Sequence, residues 1–321
     1  MFSGPNCCTG ATGATRAGSV GIVHPIERLR HVARAGDVDP VLLAQEAAEA
    51  LGSLTYEAQA LVPACRRLIE AHPSCGPLWW VAAKVIVADE PFDAAYAAIE
   101  ALADDPTAEE LAASFPGGAS VVIPAKAGLA AALNLRPDLS VTVVGMPYRL
   151  NEVLRRLSRV ADVIGIDARD FDVEGAEMMG EGPHLLVLEA LAAGPSGFLV
   201  DRDQKVLATA ASMADVPCWV TTGVGRVLPA ELFAEIVDRT VSTDATALAG
   251  FDLEDDEDDD FALLRGSGGV RSTRHHRHVA FLEAERVAAV VGPRGRAVPQ
   301  LALRRAECRA PSELLGFARQ Q

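Results

Sequence analysis

The chain has 321 residues, half of them hydrophobic, with only 5% aromatics and a formal net charge of −15. That length suits one large domain or two ordinary ones, with a core filled by Ala, Val and Leu. The acidity excludes a general nucleic-acid binder, and no apolar run reaches the roughly 18 residues of a membrane span.

Residues 1–20, rich in Gly, Ser, Thr and Ala, read as a disordered tail with no signal-peptide pattern. Six cysteines occur without a CxxC pair, which points to reduced thiols and a cytoplasmic protein. Residues 21–115 read as a helical domain. Asp39-Pro40 is an N-cap with proline at the first helical position, opening VLLAQEAAEAL. TYEAQALVPACRRLIEAH carries Leu61, Cys65, Leu68 and Ile69 on one face. Further helices are expected over 77–88 and 91–103, closed by the Asp105-Pro106 turn. Trp79 and Trp80 read as one core residue and one interface residue rather than a ligand stack.

From residue 116 to 321 the period changes. ASVVIP, LSVTVVG, DVIGID, HLLVLEA and VPCWVTTG read as strands separated by helical KAGLAAAL, RLNEVLRRLSRV and DQKVLATAASMAD. VAAVV is a last strand, GPRG a turn and QLALRR a short helix. Strands alternating with helices predict an α/β fold, a Rossmann-like, doubly wound and mostly parallel sheet. There is no G-x-G-x-x-G after the first strand and no P-loop, so no cofactor is implied. Residues 242–277 read as a mobile insertion. It holds DLEDDEDDD, eight acids in nine positions, and leads into the basic RSTRHHRH. The His275, His276 and His278 tract is interleaved with Arg274 and Arg277. It reads as an exposed basic loop rather than a metal site.

Residues 186–229, LVLEALAAGPSGFLVDRDQKVLATAASMADVPCWVTTGVGRVLP, resemble a known family pattern. In it a strand ends in Gly-Ala-Asp before a Gly-Phe/Val-Val-Asn-Lys turn and an alanine-rich helix. HPSCGPLWWVAAKV at 72–85 and residues 279–299 resemble two further segments of the same family. The family is that of the α, β and δ regulatory subunits of translation initiation factor 2B. It includes methylthioribose-1-phosphate isomerase and ribose-1,5-bisphosphate isomerase. The resemblance implies an N-terminal helical domain, a C-terminal Rossmann-like domain and dimerisation through the latter. It also implies a catalytic cysteine after the first strand and an aspartate after the fourth, which move a proton between carbons of a sugar phosphate. In this sequence Ala125 stands at the cysteine position and Leu191 at the aspartate position. Asp201-Arg202 and Gln204-Lys205 replace the family's Asn-Lys and Gly-Thr pairs.

The chain therefore reads as a divergent, non-catalytic member that binds or regulates. It is expected to be a homodimer, with room for a protein partner and a small phosphorylated ligand. The alternatives are a sugar-phosphate isomerase with a rearranged site and a structural subunit of a larger assembly. Glu189 ends a strand at the carboxyl edge and is the candidate for a general base. Lacking a second catalytic partner in sequence, it fits better as a carboxylate held by backbone N–H groups or an arginine. Lys126, Arg202, Lys205 and Arg226 fall on the same edge. With Glu189 they are the candidate ligand-binding residues, against the alternative of ordinary surface charges. The VAAVV run beside AVPQLAL is expected to supply apolar surface for a two-fold contact, with Val290 at its centre.

Overall fold

The structure is a computed structural model that describes residues 25–35, 39–54, 58–168, 184–248 and 279–317. The tail at 1–20 and the stretch 249–278, with its acidic and basic runs, lie outside the described residues.

The helical half contains α1 (Pro25–Arg34), α2 (Pro40–Gly52), α3 (Ala58–Ala71), α4 (Gly76–Val87), α5 (Pro91–Ala103) and α6 (Thr107–Ser114). Asp39 caps α2 as its sequence predicts, its side chain accepting from Val41 N at 2.8 Å and Leu42 N at 3.2 Å. Alanines at 44, 47 and 48 let α2 approach its neighbours closely. The segment GPLWWVAAKVIV is apolar nearly all round, so α4 becomes the central helix of this half. Both Trp79 and Trp80 are buried in the same core, which corrects the expected division into core and interface. Trp79 donates its indole N–H to Pro73 O at 2.9 Å, and the Lys84 ammonium lies over the Trp80 ring.

The second half is built on a seven-stranded sheet. Its strands are β1 (Ser120–Pro124), β2 (Ser140–Gly145), β3 (Asp162–Asp167), β4 (His184–Glu189), β7 (Cys218–Thr221), β9 (Ala289–Gly292) and β10 (Gly295–Ala297). The order is β3-β2-β1-β4-β7-β9-β10, parallel except for β10, which pairs antiparallel with β9. Connecting helices include α7 (Ala130–Asn134), α8 (Pro147–Arg156) and α9 (Arg202–Met213). Successive side chains of each strand enter different cores. Val122, Leu186, Leu188 and Val220 face one layer, while Val121, Ile123, Leu185 and Val187 face the other. The strand order reverses between β1 and β4, so the crevice at their carboxyl ends is where an open α/β sheet places a ligand.

Sequence periodicity does not reveal a second sheet, in which β5 (Ala192–Gly194), β6 (Gly197–Asp201) and β8 (Val279–Glu283) pair antiparallel. Its side chains alternate between the two halves of the molecule. Phe198, Val200 and Leu282 enter the core under the main sheet, whereas Leu199 and Val279 enter the helical core. Ala190 and Ala193 likewise face the first core, and Leu191 and Ala192 the second. The run LEALAAG is thus the seam between two cores, and small apolar residues are what a seam needs. Gly194 shows how tight it is, because a Cβ there would overlap the Phe233 ring.

The helix α10 (Ala230–Leu248) sends Leu232, Phe233 and Ile236 into the helical core. Beyond β10, α11 (Pro299–Ala302) leads into a segment that returns to the helical half. There Arg66 donates to Glu313 O at 2.8 Å, and the Arg239 guanidinium lies 3.8 Å from the Phe317 ring centroid. Val290 and Val291 on β9 are buried inside this chain. The apolar surface expected from VAAVV at a dimer contact is therefore already covered. Val298 and Leu301 are the exposed apolar residues of that region.

Candidate functional site

Glu189, the last residue of β4, reaches the crevice between β1 and β4. Its carboxylate Oε1 accepts from Arg226 Nη2 at 2.7 Å, and Arg226 Nη1 donates to Ala190 O. Arg226 is buried, at 6% exposure, in the loop that follows β7. The backbone of Glu189 is closed by Gln204 on α9. Glu189 N donates to Gln204 Oε1 at 2.9 Å, and Gln204 Nε2 donates to Glu189 O at 3.1 Å. The amide thereby imitates a further strand, and it is fully enclosed. Gly128 lies against the carboxylate, where an added Cβ would stand 2.6 Å from Glu189 Oε1.

Lys126 leaves β1 two residues before Gly128 and pairs with Asp201 at the end of β6. Lys205 points to the small sheet instead. It donates to Phe281 O at 2.6 Å and stands 3.8 Å from Glu283 Oε1. Arg202 opens α9 at the surface. Of the five predicted residues, Lys126, Glu189 and Arg226 thus come to the crevice, each charge facing an opposite one. Lys205 holds α9 to β8. The partners Gln204 and Asp201 were visible in sequence only as replacements within the family pattern, and Gly128 was not singled out.

Asp105 completes the site from the helical half. Its Oδ2 accepts from Val224 N at 2.8 Å, while Oδ1 accepts from Thr107 N at 3.0 Å and from Thr107 Oγ1 at 2.5 Å. One carboxylate therefore caps the start of α6 and pins the loop that carries Arg226. Asp105→Ala is expected to destabilise the fold by about 1–3 kcal/mol, because it leaves backbone donors unsatisfied. Denaturant titration measures that loss, and hydrogen exchange should accelerate at residues 222–226. Unchanged exchange there would remove the loop-pinning role.

The two positions at which the family resemblance places proton-transfer groups are apolar and packed. Ala125 is 8% exposed and touches Gly145 so closely that a Cβ on that glycine would overlap it. Leu191, 4% exposed, lies in the core of the helical half, and its carbonyl accepts from Gly76 N at 3.1 Å. Burial pushes the Cys65, Cys218 and Cys308 thiols up to about 12, so they stay protonated and unreactive near neutral pH. Iodoacetamide at pH 8 is expected to leave Cys65 and Cys218 unlabelled in the native protein and to label both in urea, as read by peptide mass spectrometry. Because the raised value favours the protonated folded state, these thiols stabilise fully below their ordinary value of 9.0. That stability is lost as pH rises from there through about 12.

No protein-family profile matches the chain, and no curated protein matches it in sequence. Solved structures do. The translation initiation factor eIF-2B of Pyrococcus horikoshii OT3 superposes with a TM-score of 0.63 at 15% identity, over 87% of this chain and 98% of that one. The chain has the fold of the initiation-factor-2B subunits. A tetrameric eIF2B-β2-δ2 complex of Chaetomium thermophilum contains a similar chain, with a TM-score of 0.59 at 13% identity over 87% of this chain and 93% of that one. The 5-methylthioribose 1-phosphate isomerase of P. horikoshii OT3 follows at 0.53 and 9% identity, over 87% of this chain and 86% of that one. The fold therefore unites this chain with subunits of an initiation factor and with an isomerase, and the fold alone does not choose between them.

Proposed function

We propose that this initiation-factor-2B-like chain is a non-catalytic binding or regulatory protein that works as part of an assembly. One observation carries the reading: the crevice at the strand-order reversal is filled by its own ion pairs. Glu189 is committed to Arg226, Lys126 to Asp201, and Ala125 and Leu191 are core residues. General acid–base transfer needs two groups on either side of a substrate, with protons to give and take. A methyl and an isobutyl group transfer none. A carboxylate locked to a buried guanidinium and held against Gly128 is a structural brace.

The assembly we propose is a homodimer, in keeping with the oligomeric complex formed by the C. thermophilum relatives. Its contact does not rest on Val290, which the chain itself buries. The thiols of Cys65, Cys75, Cys218 and Cys308 are free, which fits a reducing compartment such as the cytoplasm. No helix among the described residues is long and apolar enough to cross a membrane. Light scattering coupled to gel filtration tests the assembly. A mass near twice the 33.7 kDa of one chain is expected, and a single-chain mass at micromolar concentration would overturn the homodimer.

A further inference from the structure

A second concavity opens on the same carboxyl edge of the sheet, beyond β7. Thr222 after β7, Gly292 at the end of β9, Arg294 in the β9–β10 turn, and Arg305 and Glu307 after α11 line it above an apolar floor. Its cavity volume is about 40 Å³. A water needs roughly 10–15 Å³ on the same measure, so there is room for about three waters or one tetrahedral anion. Nucleotides and drug-sized ligands need several hundred Å³ and are excluded.

Two arginines, Arg294 and Arg305, stand at its rim. Arg136, Arg226 and Arg239 are each tied to a carboxylate. Among the described residues, the side chains of Arg294 and Arg305 form no hydrogen bond or ion pair, and both residues are exposed. In a protein of net charge −15, two arginines that line one cavity, neither ion-paired to Glu307 nor to Glu110 beside the Gly295 turn, are a place for an anion from outside. The backbone is shaped to expose them. Gly295 has φ +83°, which closes the turn with Arg294 at its tip. At Gly292 an added Cβ would stand 3.0 Å from Thr222 O and 3.2 Å from Thr222 Oγ1, so glycine leaves the hydroxyl side of the cavity open.

We propose that this cavity binds a small phosphoryl anion carrying a proton or hydroxyl group, with Arg294 and Arg305 holding the charge and Glu307 and Thr222 contacting the hydroxyl. Glu307 decides the class. A carboxylate beside a fully ionised tetrahedral anion repels it, whereas a P–OH or an alcohol donates to that carboxylate. Inorganic phosphate keeps at least one proton near neutral pH, and sulfate keeps none. The site is separate from the Glu189–Arg226 pair and does not depend on whether the chain catalyses anything.

Isothermal titration of the full-length protein at pH 7 with inorganic phosphate, sulfate and glycerol 3-phosphate tests this. Phosphate is expected to bind in the millimolar range or tighter, and sulfate at least about tenfold more weakly. A tighter constant for glycerol 3-phosphate identifies the ligand as a phosphate ester, and a weaker one as the free ion. The R294Q/R305Q protein should lose at least about tenfold in phosphate affinity. E307Q should narrow the gap between phosphate and sulfate. Both arginines are exposed, so the ligand-free melting temperature of R294Q/R305Q should match the wild type and separate lost binding from lost fold. The proposal is overturned by a wild-type phosphate constant weaker than about 10 mM, or by unchanged affinity in R294Q/R305Q. Equal binding of phosphate and sulfate would remove the role of Glu307.

Discussion

Arg226→Met is expected to cost about 3–5 kcal/mol of folding stability, because it strands the Glu189 carboxylate in a closed crevice. Two attachments go at once. The 2.7 Å ion pair to Glu189 is lost, the donation to Ala190 O is lost, and the loop after β7 keeps only its backbone bonds and Asp105. The pair itself adds little net stability, because burying two charges offsets most of their attraction. The double variant E189L/R226M should therefore recover much of the loss in urea titration. A double variant no more stable than the single one would show that the carboxylate is not what the arginine neutralises.

Leu191→Asp should be more damaging still, by about 4 kcal/mol or more, and the protein is expected to be largely unfolded. This substitution writes the family aspartate back into the sequence. Leu191 lies in the helical core with Ala192 and Leu199, so the new carboxylate would have neither water nor a partner. Ala125→Cys adds a single sulfur and is the milder change of the two. A soluble Leu191→Asp protein with wild-type melting behaviour would mean that the side chain faces an open crevice, and the packing described above would be wrong.

Most of the main sheet is legible because its buried strands are apolar on both faces and its helices are not. The exception is β10, the partly exposed tripeptide Gly-Arg-Ala after the turn, which carries no such run, so VAAVV is not the last strand. VVIP, TVVG and LLVL could only be buried parallel strands. The small sheet was hidden for the opposite reason. Its strands are short, rich in Ala and Gly, and alternate between two apolar cores rather than between core and water. Period-two patterning is therefore absent at Ala192–Gly194 and Gly197–Asp201. Trp79 and Trp80 escaped for a related reason: a helix buried all round has no outward face to assign. At the site, the charged residues could be named from sequence but their partners could not. Arg226, which pairs with Glu189, stands 36 positions beyond Ala190 in sequence, and only the fold brings them together. Val224 stands 119 positions beyond Asp105. Lys205 shows the limit of edge placement by sequence, since one helical position turns it away from Gln204 and onto β8.

The central claim is that a fold shared with an isomerase is used here without that chemistry. Steady-state assay of the purified full-length protein with ribose 1,5-bisphosphate and with methylthioribose 1-phosphate tests it most directly. No turnover above the uncatalysed rate is expected with either substrate. Conversion at an ordinary enzyme rate, about 1 per second or faster, would contradict the account and require a proton-transfer pair that Ala125 and Leu191 do not supply.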